Sequence, residues 1–229
     1  LGVAEAAERV TDPGIGWAYV DQSSYAPQLH ALAGLRNLIV KRSLLNTAEI
    51  VIAPIRGRRK THLITGYVHK NYPRIYALLA RAARFDSALI VKGLEGGVIP
   101  SLQKPARLFY YREHIELESI EVDPVSLGSH HTERAARAPH AAPTASEPAA
   151  ADPKSLAHAA ADLGMETLDG KPGPMRDALA FGAGLCLWHI GRHASVSDAV
   201  EEVHAVLTSG AALGRLAQAK SHQPVRRML

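Results

Sequence analysis

Four cations stand within five residues at Arg56, Arg58, Arg59 and Lys60, broken only by Gly57. Four charges that close together cannot all be buried without partners, so the segment reads as an exposed basic turn able to neutralise phosphates. Lys70, Arg74, Arg81 and Arg84 follow at roughly helical intervals, and Arg74 and Arg81, seven apart, share a face. The wider stretch from His30 to Arg112 carries 15 Lys and Arg against 3 acids, a net of +12. The other 11 cations and 19 acids leave −8 on the rest, so the modest overall +4 conceals a strong asymmetry. Such an imbalance points to a polyanionic partner. A second chemical signal is the glycine-rich turn of Gly93, Gly96 and Gly97 after an apolar run, a candidate for cradling phosphate on backbone N–H groups. It is neither a Walker loop nor a dinucleotide fingerprint, and a tight turn explains the same glycines equally well. His130 and His131 have no carboxylate or Cys at ligand spacing and read as loop residues.

Composition sets the frame for these residues. Over 229 residues, 47% are hydrophobic and 21% charged, as in globular proteins. No run approaches ~18 uncharged apolar residues, so no membrane span is expected. A single cysteine, Cys186, excludes a disulfide framework and suits a reducing compartment, so a cytoplasmic location is expected. The chain starts at Leu1 without a signal-peptide pattern, which suggests that an N-terminal part of a longer protein precedes it.

The elements that must position the cations follow from periodicity. A short helix is expected over 3–10, a short strand over 15–20, and a helix over 24–40 with Ser24 as its cap. A second helix or turn-helix runs to about 52 and stops at Pro54. The pattern then predicts a strand over 61–68, a helix opening at Asn71-Tyr72-Pro73 with Ile75, Leu78, Leu79, Ala82 and Phe85 on its apolar face, and a buried strand over 87–91. Strand, helix, strand implies a right-handed parallel crossover. Residues 107–111 and 115–122 read as a hairpin. From 128 to 151 Ala, Pro, His, Ser and Thr dominate, a linker composition. A buried helix over 174–193, one capped by Ser195 or Ser197, and a last one over 211–220 complete the chain. The expected organisation is an α/β domain over 1–127, a flexible linker over 128–152 and a helical segment over 153–229 that completes the domain. The fold class is α/β, a mostly parallel sheet flanked by helices with C-terminal helices.

Several segments together resemble the anthranilate phosphoribosyltransferases. Arg36, then Arg42 six residues later with Ser43 after it, Asn46 and Pro54 match one family pattern. Ala88-Leu89-Ile90-Val91-Lys92-Gly93 with Gly96 resembles the family's strand and its His-Gly-x-Asp-Gly turn. Asp123-Pro124 to Gly128, Arg176-Asp177, Gly182 to Trp188, and Ser209-Gly210 with Ala212, Leu213 and Leu216 resemble later segments. The resemblance implies a nucleoside phosphorylase/phosphoribosyltransferase-like fold. It also implies a homodimer formed through N-terminal helices, with a pyrophosphate loop lying upstream of Leu1.

Departures accompany the matches. Val98-Ile99 stand where the resemblance places an Asp-Glu pair for magnesium, and apolar side chains cannot hold a hard cation. Lys92 replaces the turn's His, Glu49-Ile50 a Gly-Pro, and Gly182 the Asn of the C-terminal helix. The Lys-Gly-Leu-Glu-Gly-Gly turn and the Arg pair look more like the divergent YbiB-type branch, which the resemblance associates with nucleic-acid binding. The resulting expectation is a catalytically degenerate relative that binds the DNA or RNA backbone non-specifically, without cofactor, through Arg36, Lys41, Arg42, Arg56, Arg58, Arg59, Lys60, Lys70, Arg74 and Lys92. Exposed rings among Tyr67, Tyr72, Tyr76, Phe109, Tyr110 and Tyr111 are candidates to stack on bases, although core positions suit them better. The alternative is a transferase using phosphoribosyl pyrophosphate (PRPP), an aromatic acid acceptor and magnesium.

Overall fold

The computed structural model describes residues 1–39, 44–113, 116–129, 131–132 and 153–221. Its centre is a four-stranded sheet in sequence order, β1 (His62–Gly66), β2 (Ser87–Val91), β3 (Ala106–Arg112) and β4 (Glu118–Val122). Between β1 and β2 runs the helix that will be α6 (Tyr72–Ala82), and these two strands pair in parallel, as the crossover requires. β2–β3 and β3–β4 are antiparallel, so the sheet is mixed rather than mostly parallel. Only a connection as long as α6 can return a strand in the same direction. The chain between β3 and β4 is too short for that and makes a hairpin.

All five residues of β2 are buried, because both faces of the sheet are covered. Ala88 and Ile90 face one cluster with Tyr76, Ala77 and Ala80 of α6. Leu89 and Val91 face the other, with Phe181, Leu185 and Trp188 of α8 (Pro174–His189). The alternation continues on β3, where Leu108 joins the α8 side and Tyr111 the α6 side. Helix α8 is buried nearly all round: α9 (Val196–Thr208) packs Val200, Val203 and Leu207 against its outer side around Ala180. Ser195 caps α9, its Oγ accepting from the Asp198 N–H at 3.1 Å. The helices α7 (Pro153–Leu168) and α10 (Ala211–Ser221) finish this layer. Arg9 of α1 (Val3–Thr11) donates to the Ala219 carbonyl at 3.1 Å, tying the first helix to the last.

Three local expectations are corrected. Residues 15–20 form no strand. The single helix expected over 24–40 is divided into α2 (Gln22–Tyr25), α3 (Pro27–Ala31) and α4 (Ala33–Leu38), with α5 (Leu44–Glu49) beyond. Pro27 forces Ala26 out of the helical region, to φ −144° and ψ 62°, and Asp21 rather than Ser24 caps α2. On α6 the buried stripe is Pro73, Tyr76, Ala77 and Ala80, while Ile75 and Leu78 are 42% and 68% exposed. The helix has two competing apolar stripes one residue apart in phase, and packing on the sheet selects the one with the small alanines.

No described helix is long and apolar enough to cross a membrane. Of the stretch expected to be a linker, Gly128, Ser129, His131 and Thr132 are described. Gly128 closes a 3-10 turn at φ 72°, and the Thr132 carbonyl accepts from Gln103 Nε2 at 3.0 Å. His131 is not a free loop residue: its Nε2 lies 2.7 Å from Asp177 Oδ2 at the start of α8. His130 and residues 133–152 lie outside the described residues.

Candidate functional site

The parallel pair β1–β2 gives the sheet two chemically distinct ends, and the predicted cations divide between them. Arg56, Arg58, Arg59 and Lys60 precede β1 and sit at its amino end, whereas Lys70 and Arg74 follow β1 and Lys92 follows β2. Five residues at ~3.3 Å rise separate the two ends by about 16 Å, so the cations do not form one cluster. Lys41 and Arg42 lie outside the described residues, as does the side chain of Arg36.

Several of these cations serve the fold. Arg56 donates to the carbonyls of Ala83 and Arg84, at 2.6 and 3.2 Å, and lies 5.2 Å above the Phe85 ring. Its charge therefore sits at the carbonyl end of α6, where the helix dipole favours it. Lys60 pairs with Glu113 at 2.5 Å, which raises the lysine pKa; the pair is exposed. Arg112 donates to the carbonyls of Trp188 and His189 and packs on the rings of Trp188 and Tyr110. Lys92 Nζ donates to the Val68 carbonyl and lies 5.1 Å above the Tyr67 ring. Arg58, Arg59, Lys70 and Arg74 are exposed and make no ion pair among the described residues. The rings are mainly structural: Tyr67, Tyr76 and Tyr111 are buried, and Tyr110 packs edge-on against Trp188.

At the carboxyl end, the turn after β2 folds on itself. The N–H groups of Gly93, Leu94 and Gly97 donate to Val91, Ile99 and Leu94 carbonyls at 2.8–2.9 Å. A Cβ on Gly93 would lie 1.8 Å from the Gly97 oxygen, and one on Gly66 2.0 Å from the same atom. The glycines thus allow three backbone segments to touch, and the turn's N–H groups at 93, 94 and 97 are already used. Gly96 adopts φ 83°, the left-handed conformation that suits glycine. Val98 is 41% exposed, and Ile99 packs toward the core. A Cβ on Gly182 would sit 3.5 Å from Ile99 Cγ1, so two of the departures from the family pattern meet in space. Neither provides an oxygen ligand. No group of three His, Cys, Asp or Glu among the described residues is placed to hold a metal. The residues here do not fit the magnesium that the resemblance implies.

The amino end carries chemistry that the sequence reading missed. Ser87 opens β2 opposite His62 of β1, and His189 ends α8 above them. His62 Nδ1 lies 2.7 Å from Ser87 Oγ, and His189 Nε2 lies 2.8 Å from the same oxygen. Burial, followed by the nearby charges of Arg112 and His62, lowers His189 to about 4. These three residues line a cavity of about 280 Å³ together with Lys60, Asp86 and Arg112. Positions 62, 87 and 189 carry no joint signal in the sequence, because 102 residues separate Ser87 from His189.

No family model matches the chain. Over 111 residues, 48% of this chain and 34% of the other, it is 35% identical to an uncharacterized protein of Aquifex aeolicus. It is 24% identical over 216 residues to the anthranilate phosphoribosyltransferase of Polynucleobacter necessarius, covering 94% of this chain and 57% of that protein. The chain thus spans little more than half the length of that enzyme. Its fold aligns with anthranilate phosphoribosyltransferase of Thermus thermophilus at TM-score 0.63 and 16% identity, covering 95% of this chain and 63% of that one. The Saccharomyces cerevisiae enzyme in complex with PRPP and Mg aligns at TM-score 0.65 and 16% identity over 90% and 54% of the two chains. By sequence similarity and by fold, the chain resembles the anthranilate phosphoribosyltransferases, at a divergent distance.

Proposed function

We propose that the protein acts on a phosphorylated pentose at the carboxyl end of β1 and β2, as a phosphoribosyl or glycosyl transferase with an aromatic acid acceptor. The observation that carries this reading is similarity to anthranilate phosphoribosyltransferases along 94% of the chain. Open α/β sheets take their ligands outside the carboxyl ends of parallel strands, which is where Lys92, Lys70 and Arg74 lie. The reaction breaks the bond between the anomeric carbon and a pyrophosphate oxygen and joins that carbon to the acceptor. The leaving group is strongly anionic, and on this chain the charge to meet it comes from those three cations. No step is assigned to magnesium, because Val98 and Ile99 offer it no oxygen. Calorimetric titration of the full-length protein with PRPP tests the reading. Binding that persists after chelation of magnesium is expected, whereas no binding at millimolar PRPP refutes it.

A second reading is non-specific nucleic-acid binding by a protein that has lost transferase activity. It is favoured by the exposed Arg58, Arg59, Lys70 and Arg74, which no acid neutralises among the described residues. Labelled single- and double-stranded DNA and RNA should then bind with an affinity that falls linearly in log–log form with salt. No affinity for any of them at low salt refutes it.

A further inference from the structure

The His62–Ser87–His189 cluster lies at the opposite end of the strands from the proposed pentose site, about 16 Å away by strand rise. Its geometry constrains where the protons sit. A serine hydroxyl has one proton, so Ser87 donates to one imidazole and accepts from the other. His189 is 1% exposed, and its Nδ1 has no hydrogen-bond partner. A buried N–H left unpaired is among the rarest defects in proteins, so the unpartnered Nδ1 bears the lone pair. Nε2 of His189 then carries the hydrogen and donates it to Ser87 Oγ. The Ser87 proton is left directed at His62 Nδ1, on an exposed side chain able to take it up. These tautomers are assigned from the hydrogen-bond pattern.

A hydroxyl that donates to an accessible imidazole makes the contact by which a base activates a nucleophile, and the His189 donor fixes the direction in which that hydroxyl points. Ser87 is 4% exposed, and it shares the wall of the 280 Å³ cavity with Lys60 and Arg112. Arg112 lines the same cavity, held there by the Trp188 and His189 carbonyls, so its wall carries a fixed positive charge that favours an anionic intermediate. The size admits only a small electrophile.

We propose that Ser87 is a nucleophilic residue, served by His62 as general base, and that the cavity accepts small acyl esters. Ser87 Oγ attacks the acyl carbon while its proton passes to His62 Nδ1. The alkoxide leaves with that proton, and an acyl-Ser87 ester remains. Water, deprotonated by the same imidazole, then hydrolyses the ester, releasing the carboxylic acid and restoring Ser87.

The test is incubation of the full-length protein with 4-nitrophenyl acetate, followed by peptide mass mapping and measurement of nitrophenolate release. Acetylation of Ser87 is expected, and it should slow by about 100-fold in His62→Ala, the size typical of a lost general base. Ser87→Ala should abolish the acetylated peptide. Because Ser87 is buried, folding of that variant is checked by circular dichroism, and the exposed His62→Ala carries the test if Ser87→Ala does not fold. Acetylation confined to lysines or the N-terminus overturns the proposal, as does a Ser87 rate unchanged in His62→Ala. PRPP binding does not enter any of these measurements, so the result is independent of the transferase reading.

Discussion

His189 is a neutral imidazole locked in the interior, and acid should therefore unfold this protein in a specific way. Burial brings its pKa down to about 4 in the fold, against 6.5 for a solvated histidine in the unfolded chain. Between these values the unfolded chain binds a proton that the folded chain refuses. Stability is therefore complete above pH 6.5, falls as pH drops through that window, and is exhausted below about pH 4. A difference of about 2.5 pKa units, at about 1.4 kcal/mol each, makes the total loss about 3 kcal/mol. Most of that, about 2.5 kcal/mol, should be gone between pH 7 and pH 4.5. The assay is urea unfolding at the two pH values for the native protein and for His189→Gln, which keeps a donor for Ser87 and cannot ionise. Carboxylates titrate in both proteins, so the difference between their pH dependences isolates the imidazole. With a urea slope of about 2 kcal/mol/M, the native midpoint should fall about 1 M further than that of the variant. Equal pH dependences in the two proteins would refute the argument.

Other substitutions probe the elements that carry the candidate sites. Gly93→Ala places a methyl group 1.8 Å from the Gly97 oxygen, which only backbone movement can relieve, and should cost about 3 kcal/mol in urea unfolding. Arg56→Ala removes the donors to the Ala83 and Arg84 carbonyls at the end of α6 and should cost about 1 kcal/mol, with faster amide exchange confined to that turn. Val98→Asp returns a carboxylate to an exposed position of the turn after β2. The resemblance implies a metal-binding aspartate at this position, so PRPP binding measured by calorimetry should become tighter with magnesium in the variant only.

The sequence by itself determined the βαβ unit, because the apolar run Ser87–Val91 and the helix opening at Pro73 are both set by local signals. It also determined the hairpin and the buried character of α8, and it narrowed the cap of α9 to Ser195 or Ser197, of which the structure selects Ser195. The apolar departures at Val98 and Ile99 were visible only against the resemblance to the family pattern. What needed tertiary structure was every choice between locally equivalent options. On α6 the stripe of Ile75 and Leu78 is as apolar as the buried one, and only contact with Ala88 and Ile90 decides between them. The +12 segment could be counted from the sequence, but not its division between two ends of a sheet, nor the use of Arg56, Arg112 and Lys92 to bind carbonyls. Charge is a property of composition, whereas the partner of a charge is a property of where the chain crosses itself. The same reason hid His62, Ser87 and His189: strand pairing joins the first two across 25 residues, and the docking of α8 supplies the third.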